Sequence, residues 1–231
     1  MQLSKRLQAI ADMIRPCAVL ADVGTDHGYI PIYAVEQQIA KKAIAMDINQ
    51  GPLWRAASHI AGHGLEAYIE TRCCDGVSAL EPGEADCVVI AGMGGGLMQK
   101  IMTEGEAVLS GVKELILQPQ SEIGRFRRFL GDRNYAIQQE DMIFEDGKFY
   151  PMMRVVRGKM EMTDPIYQEY GELLLKDKNP VLRMYLEKSE KTCQAILKRL
   201  YENGRDDSDA RVTELKEEMQ NISSARKYYE V

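Results

Sequence analysis

Short apolar runs alternate with amphipathic segments over the N-terminal part of the chain. Five of these runs are rich in β-branched residues and predict strands, whereas the segments between them have helical spacing. This alternation is typical of an α/β fold, in which helices cover a parallel sheet. The predicted strands are Ala18–Asp22, Lys42–Asp47, Ile69–Cys74, Ala85–Ala91 and Glu114–Gln118. The predicted helices span residues 27–38, 50–63, 95–108 and 121–131.

A different pattern ends this region. Two longer segments, Tyr135–Glu145 and Lys148–Arg157, flank the dipeptide Asp146-Gly147. Asp-Gly supplies the positive φ angles of a tight hairpin turn. The parallel sheet is therefore predicted to be closed by an antiparallel pair of strands.

Beyond residue 160 the chain is rich in charged residues and helix formers. Apolar positions recur there in steps of three and four, in two segments separated by a Gly-containing break. The positions are Leu182, Leu186, Ser189, Cys193, Ile196 and Leu200, and then Val212, Leu215, Met219 and Ile222. This pattern predicts an antiparallel, coiled-coil-like helical hairpin. The chain is thus expected to have two domains, residues 1–160 and 161–231.

Composition excludes several classes of protein. The apolar content of 45% and charged content of 28% are those of a globular chain. No apolar run reaches the ~18 residues of a membrane span, and the N-terminus lacks a signal-peptide run, so we expect a cytoplasmic protein without a membrane partner. The five cysteines include no CxxC spacing, and His59 and His63 lack a carboxylate motif. We therefore expect no metal site and interpret both histidines as part of a solvated face.

The first strand leads into a glycine-containing turn, Asp22-Val-Gly24-Thr25-Asp26-His27-Gly28. Glycines here permit a tight turn and a close approach of the backbone to a ligand, and the next helix presents unpaired N–H groups. Asp26 stands where a dinucleotide fingerprint has its second glycine. A carboxylate there repels a pyrophosphate but binds an ammonium group, which favours S-adenosylmethionine as the cofactor over a nicotinamide dinucleotide.

Three further strand ends carry candidate cofactor-binding residues. Asp47, followed by Ile48, can accept hydrogen bonds from a ribose, and Asp75, followed by Gly76, can accept one from the adenine amine. The fourth strand ends in Ala91-Gly92-Met93, followed by three more glycines. These glycines either shape a pocket or only permit tight packing of the next helix. Ligands of open α/β sheets bind at the carboxyl ends of strands, so the joint arrangement predicts one site.

Several segments together resemble the bacterial tRNA (adenine-N1)-methyltransferases of the TrmK family. They are LSKRL at 3–7, DVGTDHGYIP at 22–31, AGMGGG at 91–96, LQPQ at 117–120 and DKNPVLRMYL at 177–186. The resemblance extends over essentially the whole chain. It implies a Rossmann-like class I methyltransferase domain with a C-terminal helical domain. It also implies methyl transfer from S-adenosylmethionine to N1 of the adenine at tRNA position 22, in the D-loop region.

Under this interpretation the candidate catalytic residues are Asp26, His27 and Tyr29. Asp26 would orient the cofactor or neutralise developing charge, His27 would hydrogen-bond the cofactor or the base, and Tyr29 would stack on the base. The plainer alternatives are that the turn is only structural and that His27 only caps its helix.

Binding of tRNA requires a positive surface, although the chain has 29 basic and 35 acidic residues and a net charge of −6. Residues 120–160, by contrast, contain eight basic and six acidic residues. The predicted phosphate contacts are Lys5, Arg6, Arg125, Arg127, Arg128 and Arg133. An exposed helix rich in arginine also occurs in proteins that bind no RNA.

Two other functions compete with this one. A methyltransferase acting on a small molecule would share the cofactor motifs, and a non-catalytic protein could bind S-adenosylmethionine while its helical tail recruits a partner. The sequence leaves open whether the protein is a monomer or a homodimer.

Overall fold

The computed structural model describes residues 1–160 and 164–230. The chain divides into two compact units, Met1–Glu161 and Met162–Val231. The predicted start of the second domain, residue 161, lies outside the described residues. No helix in the described part of the chain is long and apolar enough to cross a membrane.

The first unit contains a seven-stranded sheet. The strands are β1 Cys17–Val23, β2 Ala40–Asp47, β3 Ile69–Cys73, β4 Cys87–Met93, β5 Glu114–Pro119, β6 Tyr135–Glu145 and β7 Lys148–Arg157. Their order in the sheet is β3-β2-β1-β4-β5-β7-β6. Strands β1 to β5 are parallel, and β7 runs antiparallel to both β5 and β6. The predicted closing hairpin is confirmed, with Glu145 paired to Lys148 next to the turn.

Six helices belong to this unit: α1 Lys5–Met13, α2 Tyr29–Glu36, α3 Gln50–Gly62, α4 Gly95–Glu104, α5 Glu106–Leu109 and α6 Ile123–Asp132. The prediction of a single helix over 95–108 is wrong, because the helix is interrupted at Gly105. A Cβ atom on that residue would lie 2.2 Å from Val77 Cγ2 and 2.9 Å from the Ile101 carbonyl oxygen. Only glycine fits this contact, and it ends α4.

Apolar side chains cover both faces of the sheet because successive strand residues point to opposite faces. On β4, Val88 and Ile90 belong to a core that includes Met98 of α4 and Phe126 of α6. Val89 belongs to the opposite core, with residues of α1, α2 and α3. The central strands are therefore buried on both sides, and a ligand can reach them at their ends.

The second unit is helical. Its helices are α7 Pro165–Tyr170, α8 Glu172–Lys176, α9 Pro180–Glu202 and α10 Ala210–Arg226, followed by a 3₁₀ turn at Lys227–Tyr229. Arg226 pairs with Glu190, and the Tyr229 hydroxyl donates to the Asn179 carbonyl at 2.9 Å. The end of α10 thus lies beside the start of α9, so the two form the predicted antiparallel hairpin.

The buried positions of this hairpin differ in several places from the predicted seam, because Ser189, Ile196, Leu200 and Met219 are only half-buried. Val212, Leu215 and Ile222 of α10 are buried as expected, but on α9 Leu197 is buried instead of Ile196. The step after Cys193 is therefore four residues rather than three, since an α-helix has 3.6 residues per turn and not the 3.5 of a heptad. The coiled-coil-like character of the hairpin stays a prediction.

Candidate functional site

A cavity of about 310 Å³ opens at the carboxyl ends of β1 and β4. The strand order reverses between these two strands, and ligands of open α/β sheets bind at such a switch point. The cavity is lined by residues from α1, from the end of β1 and the turn after it, from the start of α2, from the end of β4 and from the loop after β5. They are Arg6, Leu7, Asp22, Gly24, Asp26, Tyr29, Ile30, Ala91, Gly92 and Gln120.

The turn after β1 has a left-handed backbone at three residues. The φ angles are +75° at Gly24, +64° at His27 and +70° at Gly28. The amides of Gly24 and Thr25 both donate to the Met46 carbonyl at 2.8 Å, which ties the turn to the end of β2. Left-handed backbone is unfavourable for a residue with a Cβ atom, so His27 is held in this conformation by its surroundings.

Asp22 is a buried carboxylate on the cavity wall. Burial raises its pKa to about 6, and the nearby charge of Asp47 adds to this effect. Within the described residues it forms no ion pair with a basic side chain. A carboxylate in this environment gains most from a ligand that brings a cation or hydrogen-bond donors.

Asp26 is exposed and has a different partner. The Arg55 Nη2 and Nε atoms of α3 donate to its Oδ1 at 2.8 and 3.3 Å, and His27 Nε2 lies 3.5 Å from the same oxygen. Sequence reasoning missed Arg55. A usable signal was its position eight residues after Asp47, on the helix that starts at the next strand end.

Three aromatic rings lie side by side at the mouth of the cavity. The ring centroid of His27 is 5.2 Å from those of Tyr29 and His59, and the latter two are 5.7 Å apart. His59 also donates from Nδ1 to the His27 carbonyl at 3.0 Å.

The interpretation of His59 as part of a solvated face is therefore wrong. It failed because only the packing of α3 against the β1 turn brings this ring to the site. His63 instead binds Glu36, at 2.6 Å. In the part of the chain that the structure describes, no group of three or more His, Cys, Asp or Glu residues could hold a metal ion.

Two residues of the cavity lining, Arg6 and Gly92, share a buried partner, Gln118. The Gln118 Oε1 atom accepts from Arg6 Nη1 at 3.1 Å and from the Gly92 amide at 3.2 Å, and the Arg6 guanidinium lies over the Tyr150 ring. Arg6, predicted as an RNA contact, thus lies at the cavity itself.

The glycines at the end of β4 and directly after it serve two purposes. Gly92 has a φ of +78° and lines the cavity. At Gly95 a Cβ atom would lie 2.6 Å from the Ser121 carbonyl oxygen, so this glycine permits close packing of the loop before α6. Met93 reaches back toward the first turn, because a Cβ atom on Gly24 would lie 2.2 Å from its Cε. Both interpretations of the glycine cluster therefore apply: Gly92 shapes the cavity, and Gly95 permits tight packing.

The remaining predicted cofactor residues lie at the ends of β2 and β3, outside the lining of the cavity. The Asp47 Oδ1 atom accepts from the Asn49 amide at 2.7 Å, and Asp75 lies 3.7 Å from Lys100 Nζ. The Cys74 amide donates to the Asp47 carbonyl, which joins the two strand ends. Ile48 is 60% exposed, and Gly76 has a φ of +58°.

The prediction that Arg127 contacts a phosphate is wrong. Its side chain is buried and donates from Nε to Glu140 Oε1 at 2.8 Å, because residue 127 lies on the face of α6 that packs on the sheet. The other arginines of this group, Arg125, Arg128 and Arg133, are exposed, as is Lys5. These four stay candidates for binding RNA.

The sequence from residue 3 to residue 153 matches the methyltransferase domain family. A Bacillus subtilis (strain 168) protein named tRNA (adenine(22)-N(1))-methyltransferase is 40% identical over 186 residues, which are 78% of either chain. The chain belongs to the tRNA (adenine(22)-N(1))-methyltransferase family. The family resemblance drawn from the sequence motifs is thereby confirmed.

Solved structures of this family have the same fold. The B. subtilis M1A22 tRNA methyltransferase TrmK has a TM-score of 0.85 at 33% identity, over 97% of this chain and 98% of that one. M. capricolum TrmK, in complex with the natural cofactor product S-adenosyl-homocysteine, has a TM-score of 0.86 at 26% identity, over 99% of both chains. A Streptococcus pneumoniae relative in complex with S-adenosyl-L-methionine has a TM-score of 0.87 at 32% identity, over 97% of this chain and 99% of that one. The predicted Rossmann-like methyltransferase fold is confirmed.

Proposed function

We propose that this protein transfers a methyl group from S-adenosylmethionine to N1 of the adenine at position 22 of tRNA. The observation that carries the proposal is the cavity at the β1 turn, with Asp22 and Asp26 on its wall, in a chain of this family. S-adenosylmethionine supplies an electrophilic methyl group attached to a positively charged sulfur.

The described residues fit this cofactor. Asp22 and Asp26 put two carboxylates at the cavity for an ammonium group, and the amides that start α2 face the same turn. Asp47 and Asp75, at the ends of adjacent strands, are positioned to accept hydrogen bonds from a ribose and an adenine amine. Ile48 offers an exposed apolar side chain beside them.

The acceptor atom, adenine N1, needs little chemical activation. Adenine N1 has an in-plane lone pair that is free at neutral pH, so no side chain has to remove a proton before the methyl group is transferred. The contribution of the protein is to align the reacting atoms and to exclude misplaced bases. N1 lies on the Watson–Crick edge, so a paired adenine has to leave its helix before it reaches the cavity.

Tyr29 and His27 present ring surface at the mouth of the cavity, where a flipped base can stack. Asp26 carries its negative charge at the same place and stabilises the positive charge that the adenine ring acquires. Arg6, which also lines the cavity, is positioned to bind the phosphate or the base edge of the same nucleotide. Exposed positive charge for the rest of the tRNA comes from Lys5, Arg125, Arg128 and Arg133. We propose that the protein acts in the cytoplasm.

The proposal is tested with labelled S-adenosylmethionine and two tRNA transcripts that differ only at position 22, adenine in one and guanine in the other. Nucleoside mass analysis should find about one 1-methyladenosine per adenine-22 transcript and none in the guanine-22 transcript. Equal methylation of both transcripts would contradict the assigned position. The absence of methylated nucleoside in several tRNA species would contradict a tRNA methyltransferase altogether.

A further inference from the structure

We infer that His59 is a positioning residue of this active site, which holds His27 and Tyr29 in place through α3. The inference rests on the proposed function, because the purpose of the arrangement is to present those two residues to the adenine. His59 lies 32 residues from His27 along the chain and is joined to it by a hydrogen bond and a ring contact.

The hydrogen bond determines the tautomer of His59. The His27 carbonyl oxygen can only accept, so the proton must be on His59 Nδ1, and Nε2 of the neutral ring is left unprotonated. The same ring is nearly parallel to His27 and to Tyr29, with interplanar angles of 22° and 19°. One side chain therefore contacts both residues assigned to the base.

The backbone of the turn explains why such a support is needed. His27 and Gly28 are consecutive left-handed residues, so the His27 carbonyl is not in the path of a helix or strand ladder. His27 also has a Cβ atom, which makes this conformation unfavourable without external contacts. The hydrogen bond from His59 is the contact that the structure provides for that carbonyl.

Helix α3 holds the turn at a second point. Arg55, one helical turn before His59, binds the Asp26 carboxylate, while His59 binds the backbone of the next residue. The i, i+4 pair thus reaches two consecutive residues of the turn, the exposed Asp26 and the half-buried His27. Because α3 follows directly after Asp47, the same helix connects the turn with the end of β2.

The test compares His59→Ala with His59→Asn. The amide nitrogen of asparagine can take the place of Nδ1 and donate to the His27 carbonyl, whereas alanine cannot. We expect kcat for tRNA methylation to fall about tenfold in His59→Ala, the loss typical of one well-placed hydrogen bond, and to recover most of the way in His59→Asn. His63→Ala is the matched control, since His63 directly follows the last residue of the same helix but binds Glu36, and its kcat should equal that of the wild type.

Nitrogen-15 NMR of histidine-labelled protein gives a second measurement that needs no variant to fold well. The chain has three histidines, and the ring signals of His59 should be those of the Nδ1-protonated tautomer. A His59→Ala enzyme within twofold of the wild type, an asparagine variant no more active than alanine, or the other tautomer would each overturn the inference. Absence of methylation by the wild-type enzyme would instead contradict the proposed function.

Discussion

Acidic residues at the two ends of the sheet differ in their ion pairs. At the amino ends of the strands, Asp86 binds Lys113 at 2.8 Å and also accepts from the backbone of β1, and the buried Glu114 lies 3.6 Å from Arg154. At the carboxyl ends, Asp22 is buried without an ion pair among the described residues, and the exposed Asp26 binds the partly exposed Arg55 and lies 3.5 Å from His27 Nε2. Acids at the first end stabilise the fold, whereas those at the second are kept for a ligand at a cost in stability.

The largest effect on stability should follow from Arg154→Met at the amino end. The substitution leaves the buried Glu114 without its cation, so we expect the free energy of unfolding to fall by about 3–5 kcal/mol. Urea denaturation measures this loss, and Arg15→Met, at an exposed arginine, is the control. The methylation rate per folded molecule should not change; a loss below about 1 kcal/mol would show that this end does not depend on its ion pair.

Asp22→Asn should act in the opposite direction. The pKa of Asp22 is raised from 3.8 to about 6, so ionisation of this group disfavours folding, and the penalty reaches about 3 kcal/mol above pH 6 and disappears as the pH falls to about 4. Without added cofactor, the variant should therefore be more stable than the wild type at pH 7.5 and equal to it at pH 4. Its affinity for S-adenosylmethionine should fall, which calorimetry measures.

Asp86→Asn provides the contrast for this prediction. Hydrogen bonds from Lys113 and from the backbone amides of Val19 and Ala18 hold the pKa of Asp86 below its ordinary value. That carboxylate stabilises the fold above its ordinary pKa, and the contribution is lost as the pH falls. The variant should be less stable than the wild type at pH 7.5. If both asparagine variants shift stability in the same direction, the difference between the two ends of the sheet is refuted.

Asp26→Ala should lower kcat/KM for tRNA methylation by about 100-fold, because a charge at the reacting centre is removed. The side chain is exposed, so the melting temperature should change little. Asp12→Ala, at an exposed acid of α1 that accepts a hydrogen bond from Gln8, is the matched control. Unchanged cofactor affinity together with unchanged kcat would remove Asp26 from the site.

The smallest effects are expected at the surface of α6. Arg125→Ala and Arg133→Ala should each weaken tRNA binding about threefold. Each should also lower the number of counterions released on binding by about one, with no change in folding. Arg127→Ala should instead destabilise the protein, because Glu140 loses a buried partner. Filter binding at several salt concentrations separates the two behaviours, and an unaltered salt slope in the first two variants would exclude them from the RNA surface.

Local patterns predicted the elements well because they depend on neighbouring residues. The alternation of apolar residues located the strands to within about two residues, and the Asp146-Gly147 dipeptide located the hairpin. The periodicity failed at Gly105, which interrupts the helix and lies so close to Val77, distant in the chain, that no Cβ atom fits there. The prediction from the cluster of basic residues failed for Arg127, since arginine is usually exposed and neighbouring residues do not indicate its buried pairing with Glu140.

By itself, the sequence determined the order of strands and helices, the glycine-containing turn at residues 22–28 and the family to which the chain belongs. These follow from short segments whose conformations depend on side chains close to them. Only the tertiary structure decided that His59 and Arg55 reach the turn, that Asp22 is buried and that Arg127 is unavailable. Burial, pKa and hydrogen-bond partners depend on residues that are distant in sequence and are brought together only when the sheet and its helices pack.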